Sequence, residues 1–218
     1  MQLAIYGAGS LGKQLYDVAL RINAIEQRWK KVFFIDDIRQ EEHFYLSDVH
    51  RLSEVQSLKE EVEAVVANGT PKNRKKMAEV LKQAGIPLVN LIDPSAIISP
   101  SAIFTGGGTT ILPYSRVSSD VIVGENTLVL PYVHIPHDVH IGANSVFSAN
   151  VSLGGKLQIG EECYFGMGAC VREELTIGSR AIIGMGAVVL HDVGCDSVMV
   201  GNPAHLLRKS KTGEVFHH

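Results

Sequence analysis

Cysteine is scarce in this sequence: Cys163, Cys170 and Cys195 make an odd number, and no two of them stand in CxxC spacing. That speaks against a disulfide framework and a zinc knot and leaves reduced, mostly structural thiols. An excess of one charge is missing as well. Lys and Arg total 20 against 23 Asp and Glu, a net charge of −3, so no broad basic field exists to attract nucleic acid or an anionic membrane. No run of about 18 apolar residues is present, and Met1 leads straight into QLAIYGAGS without the basic start and cleavage site of a signal peptide. A soluble cytoplasmic protein is the resulting expectation. The 218 residues suffice for two modest units, each with its own core. His217 and His218 carry no functional argument, since native residues and a purification tag read alike.

The first ninety residues read as a small α/β unit. In QLAIYGAGSLGKQLYDVALRI a short apolar run is followed by Gly7, Gly9 and Gly12 in the order GxGxxG, then by apolar residues at helical spacing. That predicts strand, tight turn and helix. Without Cβ atoms such a turn lets backbone N–H groups and a helix N-terminus approach phosphate oxygens. A second strand, KVFFIDD, ends in Asp36 and Asp37, where a carboxylate could hydrogen-bond a ribose hydroxyl. A third, VEAVVANG, leads through Asn68 and Gly69 into the helix PKNRKKMAEVLKQAG, and IPLVNLI reads as a fourth strand. Only one mononucleotide-binding half fits, so a mononucleotide or nucleotide sugar is expected rather than NAD. Gly7, Gly9, Ser10, Gly12, Asp36, Asp37, Asn68 and Gly69 are the candidate substrate-binding residues; the competing reading is that the glycines merely turn strand into helix. The stretch QEEHFYLSDVHRLSEVQSLKEEVEA reads as a solvated loop and helix face.

From Ile92 the character changes to a period of six. An apolar residue recurs at Ile111, Val117, Val123, Val129, Ile135, Ile141, Phe147, Leu153, Ile159, Phe165, Val171, Ile177, Ile183 and Val189. Ile92, Ile98 and Phe104 continue the pattern upstream with one extra residue in FTGGGTT, where the glycines are expected to absorb an irregular corner. The fifth position of each hexad is apolar or small. Neither a helix nor a flat sheet sustains this period, whereas a solenoid of short parallel strands does, because each rung covers the next.

These hexads resemble the hexapeptide-repeat acyltransferases. The resemblance implies a left-handed parallel β-helix with three hexads per coil over residues 91–199, preceded by the Rossmann-like βαβαβ unit of residues 1–90 and followed by a tail at 200–218. The left hand comes from the resemblance, since the usual crossover rule favours the right. Five to six coils at a strand spacing of about 4.8 Å give a prism roughly 25 to 29 Å long. IYGAGSLGKQL, IDD, NGTPKNRKK and the exit VGCDSVMVGNPAHLLRK are similar to one subgroup, bacterial sugar acetyltransferases of the sialic-acid O-acetyltransferase and UDP-4-amino-sugar N-acetyltransferase type.

The stretch VLPYVHIPHDVHIGANSV holds His134, His137 and His140. His134 and His140 are sixth residues of successive hexads, on neighbouring faces, while His137 is a third residue at the corner between them. They do not converge on one ion, and the ligand spacing of a γ-class carbonic anhydrase is absent, so no metal is expected. Positions one coil apart should stack, which lines up Ser119, His137, Gly155, Glu173 and His191. An imidazole suits a general base at neutral pH, and Asp138 could hold its tautomer. The resemblance implies that His137 takes a proton from the sugar amine or hydroxyl as it attacks acetyl-CoA directly, with the Gly155 N–H as oxyanion donor. It also implies acetyl-CoA lying outside the prism, between subunits of a homotrimer, against Val146, Met167 and Met185. Some relatives carry a second histidine where this chain has Val146. Arg208, Lys209 and Lys211 are either CoA-phosphate contacts or solvated charges. The function expected is acetyl transfer to the amino group of a nucleotide-linked amino sugar of the UDP-4-amino-sugar type, in the biosynthesis of cell-surface polysaccharide. O-acetylation of a sialic acid or other sugar, and a non-catalytic sugar-nucleotide or CoA binding module, are the alternatives.

Overall fold

The computed structural model describes residues 1–58, 60–210 and 215. Two cores dominate the N-terminal unit, one on each face of a sheet with the order β3-β4-β2-β1-β5. Its elements are β1 (Gln2–Tyr6), α1 (Ser10–Glu26), β2 (Val32–Ile35), β3 (His43–Phe44), β4 (Ser47–His50), α2 (Leu52–Gln56), β5 (Val62–Val66) and α3 (Pro71–Gln83). β1 runs parallel to β2 and β5, as buried strands with crossover helices must.

Two sequence expectations change here. The charged stretch after Asp37 is not only loop and helix: it forms the β3–β4 hairpin, and β4 adds to the sheet parallel to β2. Val49 is the single buried residue of that strand, too little apolar content to signal it. Conversely, IPLVNLI does not form a fourth strand of this sheet. Leu88 makes one isolated bridge to Ala64, and Leu91–Ile92 already belongs to the solenoid.

The solenoid has three faces of two-residue parallel strands. The first begins at Leu91–Ile92, the second at Ile97–Ile98 and the third at Ile103–Phe104. Partners from Arg116 onward are one 18-residue coil apart, as Arg116 with His134. In the first coil the offset is larger by one, as Ile97 with Arg116. The extra residue lies by Gly106–Gly108, where a Cβ on Gly107 would stand 2.0 Å from the Leu88 carbonyl oxygen and Gly108 has φ +84°.

All fourteen hexad residues from Ile111 to Val189 lie in one buried cluster, together with the apolar fifth-position side chains, while Ser115, Thr127 and Ser145 are buried polar residues at the same position. The fourth residue of each hexad from Tyr114 to Gly186 turns the corner in the left-handed region, with φ between 53° and 68°. That repeated corner is why the period is six. The tail expected from residue 200 starts as structure: Ser197–Val200 extends the first face, and after a cis Asn202–Pro203 bond His205–Lys209 returns antiparallel. Lys211, His217 and His218 lie outside the described residues.

The N-terminal unit packs on the first face. Leu91, Leu112, Leu128 and Val146 share a core with Leu15, Val18 and Ala19 of α1. Around this seam Arg21 pairs with Asp93 at 2.6 Å, Lys75 with Glu162 at 2.8 Å and Lys82 with Glu125 at 2.8 Å. Among the described residues the N-terminal unit leaves the second and third faces uncovered, and the edge between them carries His137.

Candidate active site

His137 sits at the third position of its hexad, just before the corner residue Asp138, whose φ is 58°. The backbone there is tied to both neighbouring coils: Asp138 N–H donates to the Ser119 carbonyl at 3.2 Å, and Lys156 N–H to the His137 carbonyl at 3.0 Å. His137 Nδ1 lies 2.8 Å from Asp138 Oδ2, with the two side chains 56% and 51% exposed. Because a carboxylate only accepts, Nδ1 is the nitrogen that donates here, and Nε2 is left with no hydrogen-bond partner among the described residues. One coil on, the imidazole lies over Gly155: a Cβ there would stand 2.8 Å from Cε1 and 3.0 Å from Nε2. Gly155 N–H donates to no described protein group, whereas its carbonyl accepts from Glu174 N–H at 2.9 Å. A free backbone donor and a free imidazole nitrogen therefore stand together on one edge, the pair of groups that acyl transfer requires.

His134 pairs in register with Arg116 and Ser152 on the second face, and His140 with Ile122 and Gln158 on the third. Both are separated from the His137 edge by the register, as expected. Among the described residues no group of three or more His, Cys, Asp or Glu could hold a metal ion.

The expected acyl-donor residues divide. Met167 and Met185 stack one coil apart on the edge between the first and second faces, 53% and 75% exposed. They border an apolar groove of about 590 Å³ with Leu130, Tyr164 and Ile182. Val146 does not join them. Its side chain is 1% exposed and packed under the N-terminal unit, so it cannot offer a side-chain contact to a ligand at that edge. Lys209 is also committed elsewhere, donating to the Cys195 carbonyl at 2.6 Å and Ser197 Oγ at 3.0 Å.

In the N-terminal unit a cavity of about 360 Å³ opens at the ends of β1, β2 and β5, bringing together Gly7, Asp36, Asp37 and Asn68. Gly9, Ser10, Gly12 and Gly69 do not line it. Gly12 is a packing glycine, because a Cβ would fall 2.3 Å from the Gly7 carbonyl oxygen. Gly7 adopts φ +117° close to Ala67. Asp36 accepts from the N–H groups of Ala8, Ile38 and Arg39, each at 3.0 Å. Burial alone would raise its carboxyl, but these donors outweigh that and hold it below the ordinary value. Asp37 accepts from Tyr6 OH at 3.0 Å and Leu52 N–H at 2.9 Å. Burial, then Asp37, push the Tyr6 phenol up to about 12. Asp36 thus serves first to shape the loop after β2, and acceptor capacity is left chiefly on Asp37.

Sequence reading missed the opposite wall, which is one face of α3: Asn73, Lys76, Met77 and Val80. Their spacing of three and four was the available signal.

Two family models match the chain: the PglD N-terminal domain over residues 2–81 and the bacterial transferase hexapeptide repeat over residues 120–155. The acetyltransferase domain of PglB from Neisseria gonorrhoeae, solved in complex with acetyl coenzyme A, is 31% identical with a TM-score of 0.88, over 94% of this chain and 98% of that one. PerB from Caulobacter crescentus, solved with CoA and GDP-perosamine, is 25% identical with a TM-score of 0.78, over 94% and 97%. WeeI from Acinetobacter baumannii, at 22% identity and a TM-score of 0.73 over 95% and 100%, shares the fold. With its Rossmann-like unit, its parallel β-helix and near full-length similarity above 30% identity to an acetyltransferase, this chain belongs to the NeuD/PglD-like family of hexapeptide-repeat sugar acetyltransferases.

Proposed function

We propose that this protein transfers the acetyl group of acetyl-CoA to the amino group of a nucleotide-linked amino sugar of the UDP-4-amino-sugar type, with His137 as general base. The observation that carries this reading is the His137 imidazole, held by Asp138 at 2.8 Å and seated over Gly155 with Nε2 free. The neutral amine attacks the thioester carbonyl carbon, and Nε2 accepts the N–H proton as the C–N bond forms. The Gly155 N–H supports the oxyanion, where one such donor contributes about 3 kcal/mol in other enzymes. The C–S bond then breaks, and the proton passes from the imidazolium to the departing sulfur, giving amide and CoA thiol. Asp138 stabilises the imidazolium in between.

The acyl donor fits the groove beside Met167 and Met185, on the prism edge next to the one carrying His137. A homotrimer in which one subunit's groove faces another's His137 is the assembly this reading requires, and the bare second and third faces are the surfaces for it. The cavity between β2 and α3 takes the nucleotide. PglB and PerB, solved with acetyl coenzyme A and with CoA and GDP-perosamine, support both ligand classes.

A thermal-shift screen with UDP-, GDP-, dTDP- and CMP-linked amino sugars selects the acceptor, because a ligand bound only by the folded state raises its melting temperature. Thiol release from acetyl-CoA then reports turnover. His137→Ala should lower the rate by more than tenfold; retention of activity within tenfold would falsify the mechanism. Turnover only with hydroxyl acceptors would instead favour O-acetylation.

A further inference from the structure

Among the described residues the largest fully buried side chain is that of Arg74 in α3, with no exposed surface. It makes a full set of hydrogen bonds, all to neutral acceptors. Nε donates to the Asn126 carbonyl at 2.9 Å, and Nη1 to the carbonyls of Val66 at 2.8 Å and Asn68 at 3.0 Å. Nη2 reaches Asn126 Oδ1 at 2.9 Å and the Gly108 carbonyl at 3.5 Å. No carboxylate is among these partners. Burying an ion costs several kcal/mol even in a relaxed protein interior, and a carboxylate is its usual companion. Burial alone drives this guanidinium down to about 9.

Where the charge lies gives it a use. Asn68, whose carbonyl it holds, lines the N-terminal cavity, and Asn73 and Lys76 of the same helix form that cavity's opposite wall. Asn68 is fixed further by Thr70 N–H, which donates to its Oδ1 at 2.9 Å. The other half of the Arg74 fork grips Gly108 and Asn126 of the solenoid. A single buried cation therefore stands directly behind the cavity wall and joins that wall to the β-helix.

We propose that Arg74 is a positioning residue for an anionic ligand: its buried charge is completed by the diphosphate of the nucleotide bound on the other side of the Asn68 wall, without touching it. This rests on the nucleotide reading of the cavity given above. The lack of an internal counter-ion follows from it, because a carboxylate beside Arg74 would cancel the field the diphosphate uses. A purely structural arginine would hold the same carbonyls equally well with a carboxylate at hand.

The discriminating variant is Asn126→Asp, which sets a negative charge against Arg74 Nη2 at the same place and shape. Asparagine and aspartate both tolerate the left-handed corner conformation found there, φ 53°, and Asn144, now 2.8 Å from the Asn126 amide nitrogen, can turn its own amide to donate instead. Affinities for UDP and GDP, and for uridine and guanosine, are measured by calorimetry on wild type and variant. The expected result is about a tenfold loss for the tighter diphosphate, with its nucleoside changed less than twofold. Equal changes for diphosphate and nucleoside, or no change for either, overturn the role. If Asn126→Asp fails to give a folded trace by circular dichroism, Arg74→Lys decides: the charge is kept, so the diphosphate-to-nucleoside ratio should stay within threefold of wild type, and its collapse overturns the proposal. Wild-type protein that binds neither diphosphate sinks the nucleotide reading and this inference together; wild-type binding that Asn126→Asp leaves unaltered sinks this inference alone.

Discussion

Alanine in place of Gly155 isolates the placement of the His137 ring from every other property of the site. The added Cβ would stand 2.8 Å from Cε1, 3.0 Å from Nε2 and 3.3 Å from Nδ1, whereas ordinary van der Waals contact begins at 3.4 Å. The imidazole must therefore lift by about 0.6 Å or more, against the 2.8 Å bond that ties Nδ1 to Asp138. The backbone at Gly155 is not in the left-handed region, so alanine strains nothing there. Its N–H is also retained, so the oxyanion donor survives. A misplacement approaching 1 Å costs on the order of 100-fold in a reaction that depends on near-attack geometry. Thiol release from acetyl-CoA with the correct amino sugar should accordingly fall by about 10- to 100-fold in kcat. The melting temperature should stay within about 2 °C of wild type, as for a surface substitution of under ~0.5 kcal/mol. Gly155→Ala with kcat within threefold of wild type would show that the imidazole need not lie over residue 155, and the proposed geometry would be wrong.

Asp36→Asn should destabilise the protein by about 2 kcal/mol at pH 7, since a carboxylate accepting backbone N–H groups is replaced by a weaker acceptor. The folded carboxyl lies below its ordinary value of 3.8. Its contribution is thus complete above that value and lost as pH falls through the lower folded value; melting curves at pH 7 and pH 3 should show the penalty shrinking, and an undiminished penalty at pH 3 would contradict the assignment. Phe147→Ala removes a fully buried ring stacked on Phe165 at 4.7 Å between centroids. It should cost about 3 to 5 kcal/mol in denaturant unfolding, and a loss below 1 kcal/mol would mean that the hexad core does not carry the solenoid.

The solenoid was legible because its defining constraint is repeated: one left-handed corner every six residues forces the apolar positions into register, and Phe147, Val117 and the rest fall where counting puts them. The same count separated His137 from His134 and His140. The N-terminal unit offered no such redundancy. The β3–β4 hairpin turns at Tyr45 with φ 56°, without the Asn-Gly or Asp-Gly pair that announces a hairpin. IPLVNLI looked like a strand since apolar content does not reveal which sheet takes it. Asp36 stood at the right distance from the glycines, but spacing cannot tell whether a carboxylate faces a ligand or its own backbone. The family pattern puts Val146 with the acyl-donor residues, yet its burial depends on α1 covering the first face, a tertiary fact. Arg74 was least visible of all, one basic residue in PKNRKKM whose neighbours are solvated.

The corner geometry also makes the prism a lattice with a single step. Ser119 and Asp120 occupy the same two corner sites as His137 and Asp138, one coil nearer the start of the solenoid, and Asp120 already has φ 57°. Moving a reactive side chain by one repeat thus translates it by about 4.8 Å along the axis with its orientation kept. Reach between a tethered acceptor and the transferring group can in this way be altered in whole coils, by exchange of one or two side chains, while the buried core is left as it is.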